Sequence, residues 1–284
     1  MSLNDGSMPA PSMSIRFWGV RGSLCCPGPS TAHYGGNTPC VEVRCGDHVL
    51  IFDAGTGIRA LGNELVKTAA TDELNIFLSH CHIDHVVGLP FFAPLFVKDQ
   101  VVRIWAGHLR PNGGIEHAIR KLMSFPLFPV QVEALQATVK FRDFCAGETL
   151  NPWPEVTLRT ASLIHPGGAT GYRIEYGGRA IAYLTDTEIG DGRIDPAILA
   201  LAKRAALVIV DAAYTDAELP SHVGWGHSSW QQGIRLANAA DAGQLCLFHH
   251  DPEHDDSFMD VIRAAADTAR PGTIVASEGL QVEL

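Results

Sequence analysis

The sequence predicts an α/β protein in which two β-sheets pack together with helices outside. Three observations carry this. Short apolar runs with strand character alternate with helical segments along the chain. The second half repeats the grammar of the first. Finally, 46% of the 284 residues are hydrophobic and only 18% charged, enough apolar content for a sizeable core.

The chain opens with "MSLNDGSMPAPSMS", which has neither a basic nor an apolar stretch of the secretory kind. Residues 1–13 read as a disordered leader, and 14–284 as a single domain. Strands are expected at "SIRFWGV", "CVEVRC" and "HVLIFDAG", with Gly46–Asp47 as the hairpin turn between the last two. A long Gly/Pro loop, "RGSLCCPGPSTAHYGGNT", separates the first two, and loops of that length are usually functional. A helix follows from Thr56 to about Lys67, then the buried strand "LNIFLS", a helical segment "HVVGLPFFAPLF", the strand "VVRIWA" and a helix-loop stretch 113–135. The second half supplies strands "EVTLRTASLI", "TGYRIEYG", "RAIAYLTD", "ALVIVDA" and "QLCLFHH", with helices near 195–204, 228–242 and 255–268. No linker or charge run marks a domain boundary.

Composition also excludes. No window approaches the roughly 20 apolar residues of a membrane span. A net charge of −10 argues against a large nucleic-acid surface, though not against a small anionic substrate. The seven cysteines form no CxxC pair, so neither a zinc knuckle nor a disulfide framework is indicated, and reduced thiols fit a cytoplasmic protein.

Chemistry concentrates in "LSHCHIDHVVGLP". His80 and His82, two apart at a strand end, face the same side, and Asp84 and His85 follow where the chain turns into a helix. A lone histidine is ordinarily a hydrogen-bonded core residue; four ligand-type side chains in six positions point to a metal. Cys81 points the other way in an extended segment. Further ligand types follow buried strands: His165, Asp186, and the pair His249–His250, of which alternation admits only one. Two metal positions result: His80, His82 and His165 at one, and Asp84, His85 and the last histidine at the other, bridged by Asp186. Imidazole and carboxylate suit two zinc ions, with manganese or iron ranking behind. Three or four ligands per ion leave room for water, as in a catalytic site.

On these residues the chain resembles the metallo-β-lactamase superfamily from about Ser14 onward, and within it the phosphodiesterase branch of ribonuclease Z and the phosphoribosyl cyclic phosphodiesterases. The segment "HPGGATGYRIE" is similar to that branch's third-ligand segment, where the lactamase and thioesterase branch carries T-H-T-P-G-H. "GWGHSSWQQGIRLANAADAGQLCLFHH" resembles the ribonuclease Z stretch in which G-H-S/T opens a helix and L-x-L-x-H closes the next strand. "DAGTGIRALG" matches the Asp-Gly turn, whose Asp53 the resemblance makes a support for a ligand histidine. The resemblance implies an αββα sandwich of two mixed sheets, a binuclear hydrolase, and His249 rather than His250 as ligand.

It also implies Asp84 and His227 as catalytic groups, the first orienting water and the second protonating a leaving oxygen; the plainer reading of His227 is a helix-entry residue beside a Ser228 cap. Asn37, with Arg21 and Thr38, is placed to reach over the metals to a phosphate or ribose, or closes a tight turn with Gly35 and Gly36. His250 neighbours the ligand as a support or substrate residue, and His254 fits a substrate contact or a surface position equally. His222 fits a pocket wall or a solvated loop equally. Phe125, Pro126, Phe128 and Pro129 fit a lid or a homodimer contact. The expected substrate is a small anionic phosphodiester, of cyclic nucleotide or ribose cyclic phosphate type. No long arm of the ribonuclease Z kind is present, which weighs against an RNA 3′-processing nuclease. A lactone, thioester or lactam hydrolase is the other alternative.

Overall fold

Apolar residues spaced for strands build two seven-stranded sheets in the computed structural model, which describes residues 12–68, 73–190 and 192–284. The first sheet holds β1 (Met13–Gly19), β2 (Cys40–Cys45), β3 (His48–Phe52), β4 (Glu73–Leu78), β5 (Val101–Ala106) and β6 (Thr138–Asp143) in sequence order. The second runs through β7 (Thr149–Trp153), β8 (Val156–Leu163), β9 (Ala169–Tyr176), β10 (Arg179–Leu184), β11 (Leu207–Asp211), β12 (Gln244–Phe248) and β13 (Ile274–Val275). The last strand, β14 (Gln281–Glu283), returns to pair antiparallel with β1. Both sheets are mixed in the same way. Three antiparallel pairings are followed by three parallel ones, which is the repeat that the sequence grammar indicated.

The sheets face each other across an aromatic core. Phe52 and Phe77 of the first sheet stack at 5.5 Å, and Tyr172 and Tyr183 of the second close on Phe52 at 5.4 and 5.5 Å. On the outer face of the first sheet lie α1 (Ile58–Thr68) and α3 (Gly114–Leu122), burying Ile58, Leu61, Ile115 and Ile119. The second is covered by α4 (Pro196–Ala202), α5 (Trp230–Ala239) and α6 (Asp256–Ala269) through Ile198, Leu201, Leu236 and Ile262. This is the four-layer αββα arrangement. Caps fix where these helices begin. The Asp195 carboxylate accepts from Ala197 N, and Asp255 accepts from Phe258 N. At α5 the cap is Ser229, closed into a capping box by Gln232. Ser228, expected in that role, instead donates its hydroxyl to Thr187 O and accepts from Ile189 N.

Three further expectations are corrected. The helix read across 85–96 is one α turn, α2 (Ile83–Val86), followed by 3₁₀ turns at 89–91 and 93–96, because Pro90 and Pro94 cannot donate to a continuing helix. Strands β6, β7, β13 and β14 were not anticipated. Of the expected leader, residues 1–11 lie outside the described residues, whereas Met13 is buried in β1 and its carbonyl accepts from Leu284 N. No helix among the described residues is long and apolar enough to cross a membrane.

The site is positioned by strand ends. Chain leaving β3, β4, β8, β10, β11 and β12 carries Asp53, His80, His165, Asp186, Asp211 and His249 respectively, so six strands deliver polar groups to one rim. Asp53, Asp186 and His249 turn off their strands with positive φ (61°, 54° and 62°), a conformation unfavourable for side-chain-bearing residues by about 1–3 kcal/mol each.

Candidate metal centre

Two triads form where the sequence placed them. His80, His82 and His165 converge, as do Asp84, His85 and His249, the ligand atoms within each triad lying within 4.8 Å of one another. Asp186 lies between them. Its Oδ2 is 3.3 Å from His85 Nε2; its Oδ1 is 3.3 Å from His249 Nε2 and 3.8 Å from both His80 Nε2 and His165 Nε2.

Hydrogen bonds settle which nitrogens face the centre. Asp53, fully buried at the end of β3, accepts at Oδ2 from His85 Nδ1 (2.9 Å) and from the Tyr183 hydroxyl (2.8 Å), and at Oδ1 from Ser79 N (2.7 Å). A carboxylate only accepts, so His85 Nδ1 carries a proton and its Nε2 turns to the cluster. His165 Nδ1 donates to Gly226 O at 2.9 Å, which leaves its Nε2 facing His82 Nδ1 at 3.0 Å. His85 Nε2 and His249 Nε2 meet at 3.3 Å, and His80 Nε2 is buried with no protein partner. Converging lone pairs and an orphaned buried nitrogen, each costing about 1–3 kcal/mol unsatisfied, fit a cation held among them. The donor set of neutral imidazoles and carboxylates is that of a divalent transition metal.

Electrostatics agree. Burial, reinforced by His85 and other neighbouring imidazoles, holds His80 well below the ordinary histidine range; burial also lowers His82 and His165. These stay neutral and able to ligate. Burial alone would raise the Asp84 and Asp186 carboxyls, but His85 and His249 beside both hold them ionised far below the usual range. His85 itself is pulled down by burial and raised further by Asp186, Asp84 and Asp53.

His227 stands beside both triads rather than inside either. Its ring stacks on His249 at 5.1 Å and meets His165 at 5.3 Å. Its Nδ1 donates to Asp211 Oδ2 at 2.8 Å. Burial lowers His227, the Asp211 carboxylate outweighs it, and the result is a pKa raised to about 9. Asp211 is the residue that sequence reasoning missed. It ends the wholly buried run "LVIVD" and also accepts from Asp186 N, Ala213 N and Ser228 N. The same pattern, a buried strand ending in aspartate, had drawn attention to Asp186.

The long first loop reaches the site by its backbone. Ser23 N donates to Asp84 Oδ2 at 2.8 Å, and Gly22 packs against the His249 ring. Arg21, Asn37 and Thr38 do not extend over the triads. Arg21 is fully buried and donates to the carbonyls of Gly35, Asp251 and His254. Asn37 bonds Glu278 through its backbone N and its Nδ2, and the Thr38 hydroxyl accepts from Thr56 N. His250 turns away from the cluster, its Nε2 donating to Ala276 O, and His254 Nε2 pairs with Glu218 at 2.9 Å. Among the described residues, Cys81 joins no ligand group.

A rim of this kind on a four-layer αββα frame defines a metal-dependent hydrolase. Comparison with known proteins identifies the kind. The Beta-lactamase superfamily domain matches residues 48–250. A ribonuclease Z from Bradyrhizobium sp. is 26% identical over 292 residues, covering 85% of this chain and 92% of its own. Among solved structures, the metallo-beta-lactamase fold protein YhfI from Bacillus subtilis superposes with a TM-score of 0.71 at 20% identity, covering 96% of this chain and 100% of its own. A diphosphatase from the PhnP family superposes at 0.68 with 17% identity, covering 96% and 98%. The chain belongs to the beta-lactamase superfamily.

Proposed function

We propose that this hydrolase cleaves a small phosphodiester, of cyclic nucleotide or ribose cyclic phosphate type, with two zinc ions as the resident metals. The observation that carries the reading is the His227–Asp211 pair set beside two triads that share Asp186. His80, His82 and His165 would hold one ion and Asp84, His85 and His249 the other, with Asp186 between them. Such ions supply positive charge for phosphate oxygens and make water acidic enough to attack near neutral pH.

The chain's own groups do the rest. Asp84, held at Oδ2 by Ser23 N, orients the attacking water or takes its proton. Asp211 holds the Nδ1–H of His227, so the proton available for transfer sits on Nε2, which has no partner among the described residues. Held above the ordinary histidine range by Asp211, His227 is the group placed to give that proton to the departing oxygen. Seven free cysteines support a cytoplasmic setting.

The ribonuclease Z relatives favour a second reading, RNA 3′-end cleavage; the net charge of −10 weighs against it. Metal-loaded protein should turn over bis-p-nitrophenyl phosphate and 2′,3′-cyclic AMP faster than pre-tRNA. Efficient, salt-sensitive processing of pre-tRNA together with inactivity on the small diesters would overturn the proposal.

A further inference from the structure

A cavity of about 410 Å³ opens beside His227, and His227 is the only one of its lining residues that belongs to a ligand-type cluster. The volume falls in the range of roughly 300–1,000 Å³ typical of small-molecule sites. Its wall is the loop that leads from β11 into α5, and that loop is built to hold its shape. Glu188 Oε1 accepts from Gly224 N (2.7 Å) and Gly226 N (3.1 Å), both glycines having φ of 84°. The His222 ring stacks on Tyr214 at 4.1 Å and meets Trp225 edge-on at 4.9 Å.

A wall so pinned nevertheless leaves Val223 78% exposed, and Trp225, which is not itself in the lining but meets His222, 59% exposed. Apolar groups held rigidly in water beside a reactive histidine gain most when a ligand covers them. The polar lining is selective. His222 Nδ1 donates to Glu218 O, so its Nε2 presents a lone pair, whereas the Asp216 carboxylate is taken by Arg235 and Ser229 and Glu188 Oε1 by the two glycine amides. No Lys or Arg lines the cavity among the described residues. It therefore offers an acceptor and apolar surface to a ring that brings no charge of its own.

We infer that this cavity is the subsite for an uncharged flat ring of the substrate, one bearing N–H or O–H donors in the manner of a nucleobase. Its place beside the scissile phosphate rests on the phosphodiester reading above. The ring would lie along Leu219 and Val223, stack near Trp225, and donate to His222 Nε2, so that His227 lies between ring and phosphate.

The test uses adenosine, an uncharged probe with no phosphate, titrated by calorimetry into metal-loaded protein. Val223→Asp places a charge on the cavity wall at an exposed position; Val261→Asp, on the exposed face of α6 (69%), is the control. Wild type and Val261→Asp should bind adenosine alike, and Val223→Asp at least about tenfold more weakly. His222→Phe, which keeps the stack and removes the acceptor, should also weaken it. Absence of adenosine binding in wild type, or equal binding in Val223→Asp, would overturn the inference. A kinetic arm compares 2′,3′-cyclic AMP with ethylene phosphate, which lacks a base. Val223→Asp should lower the ratio of their kcat/KM values at least fivefold, by roughly the same loss of ring binding, and an unchanged ratio would overturn the subsite. Failure of wild type to cleave either diester would remove the phosphodiester reading, while adenosine binding lost in Val223→Asp would still support the cavity.

Discussion

Gly22 is the point where the long first loop and the ligand histidine compete for space. A Cβ at that position would sit 2.4 Å from both Cε1 and Nδ1 of His249. Ordinary carbon contacts fall at about 3.5–4.0 Å, so Gly22→Ala requires a movement of about 1 Å. Neither partner can yield without harm to the site. The His249 ring is stacked between His85 (5.3 Å) and His227 (5.1 Å), and moving it displaces a ligand nitrogen. The loop is held by Gly22 N on His250 O (2.9 Å) and by Ser23 N on Asp84 Oδ2 (2.8 Å), and moving it releases Asp84. The overpacking itself costs about 1–3 kcal/mol. A misplaced ligand or its support should lower zinc affinity about 10–100-fold. Chelator competition against zinc measures that loss, and the midpoint of thermal unfolding without metal measures the strain separately. A folded Gly22→Ala protein with zinc affinity within twofold of wild type would refute the assignment of His249 as a ligand seated against this loop.

Other substitutions separate the roles around the rim. Asp53→Asn replaces an acceptor with a donor facing His85 Nδ1 and the Tyr183 hydroxyl, and should weaken zinc binding about 10–100-fold by chelator competition; unchanged affinity would deny the support role. His227→Ala should keep its metal by elemental analysis yet lose about 10²–10⁴-fold in rate on 2′,3′-cyclic AMP, and less on p-nitrophenyl esters, whose leaving group departs unprotonated. Loss of metal from that variant would make His227 a ligand instead. Phe52→Ala empties the aromatic contact between the sheets and should cost about 3–5 kcal/mol in urea unfolding of metal-free protein; a loss below about 1 kcal/mol would contradict the packing described.

Much of this was legible in the chain because burial and chemistry left the same mark. Strands β3, β4, β10, β11 and β12 are nearly continuous apolar runs, and a polar residue at the end of such a run has few reasons to be there. That is how His80, Asp186 and His249 were found, and Asp211 obeyed the same rule without being noticed. The edges were harder. β6 carries "TVKFRD" with no fully buried residue, β7 contains Pro152, and β13 and β14 are two and three residues long. Edge strands pair on one side only, so tertiary contacts decide them more than local pattern does. Neighbouring strand-end histidines also could not be told apart by alternation alone. His249 adopts a positive φ of 62° that carries its ring toward Asp84, leaving His250 to pack edge-on to Tyr34 at 6.2 Å. Arg21 and Asn37 looked like substrate contacts because they are polar residues in a long loop. Apart from Gly35 O, their partners, backbone carbonyls of Asp251 and His254 and the Glu278 carboxylate, lie more than 200 positions away and left no local trace.

The centre itself is tested most directly by counting metal in purified protein alongside turnover of bis-p-nitrophenyl phosphate. Two transition-metal ions per chain are predicted, with zinc the best fit to the donors. Chelation should abolish turnover and re-addition of zinc restore it, and His82→Ala should lower both metal content and rate. Full turnover by metal-free protein, or wild-type activity in His82→Ala, would contradict the account.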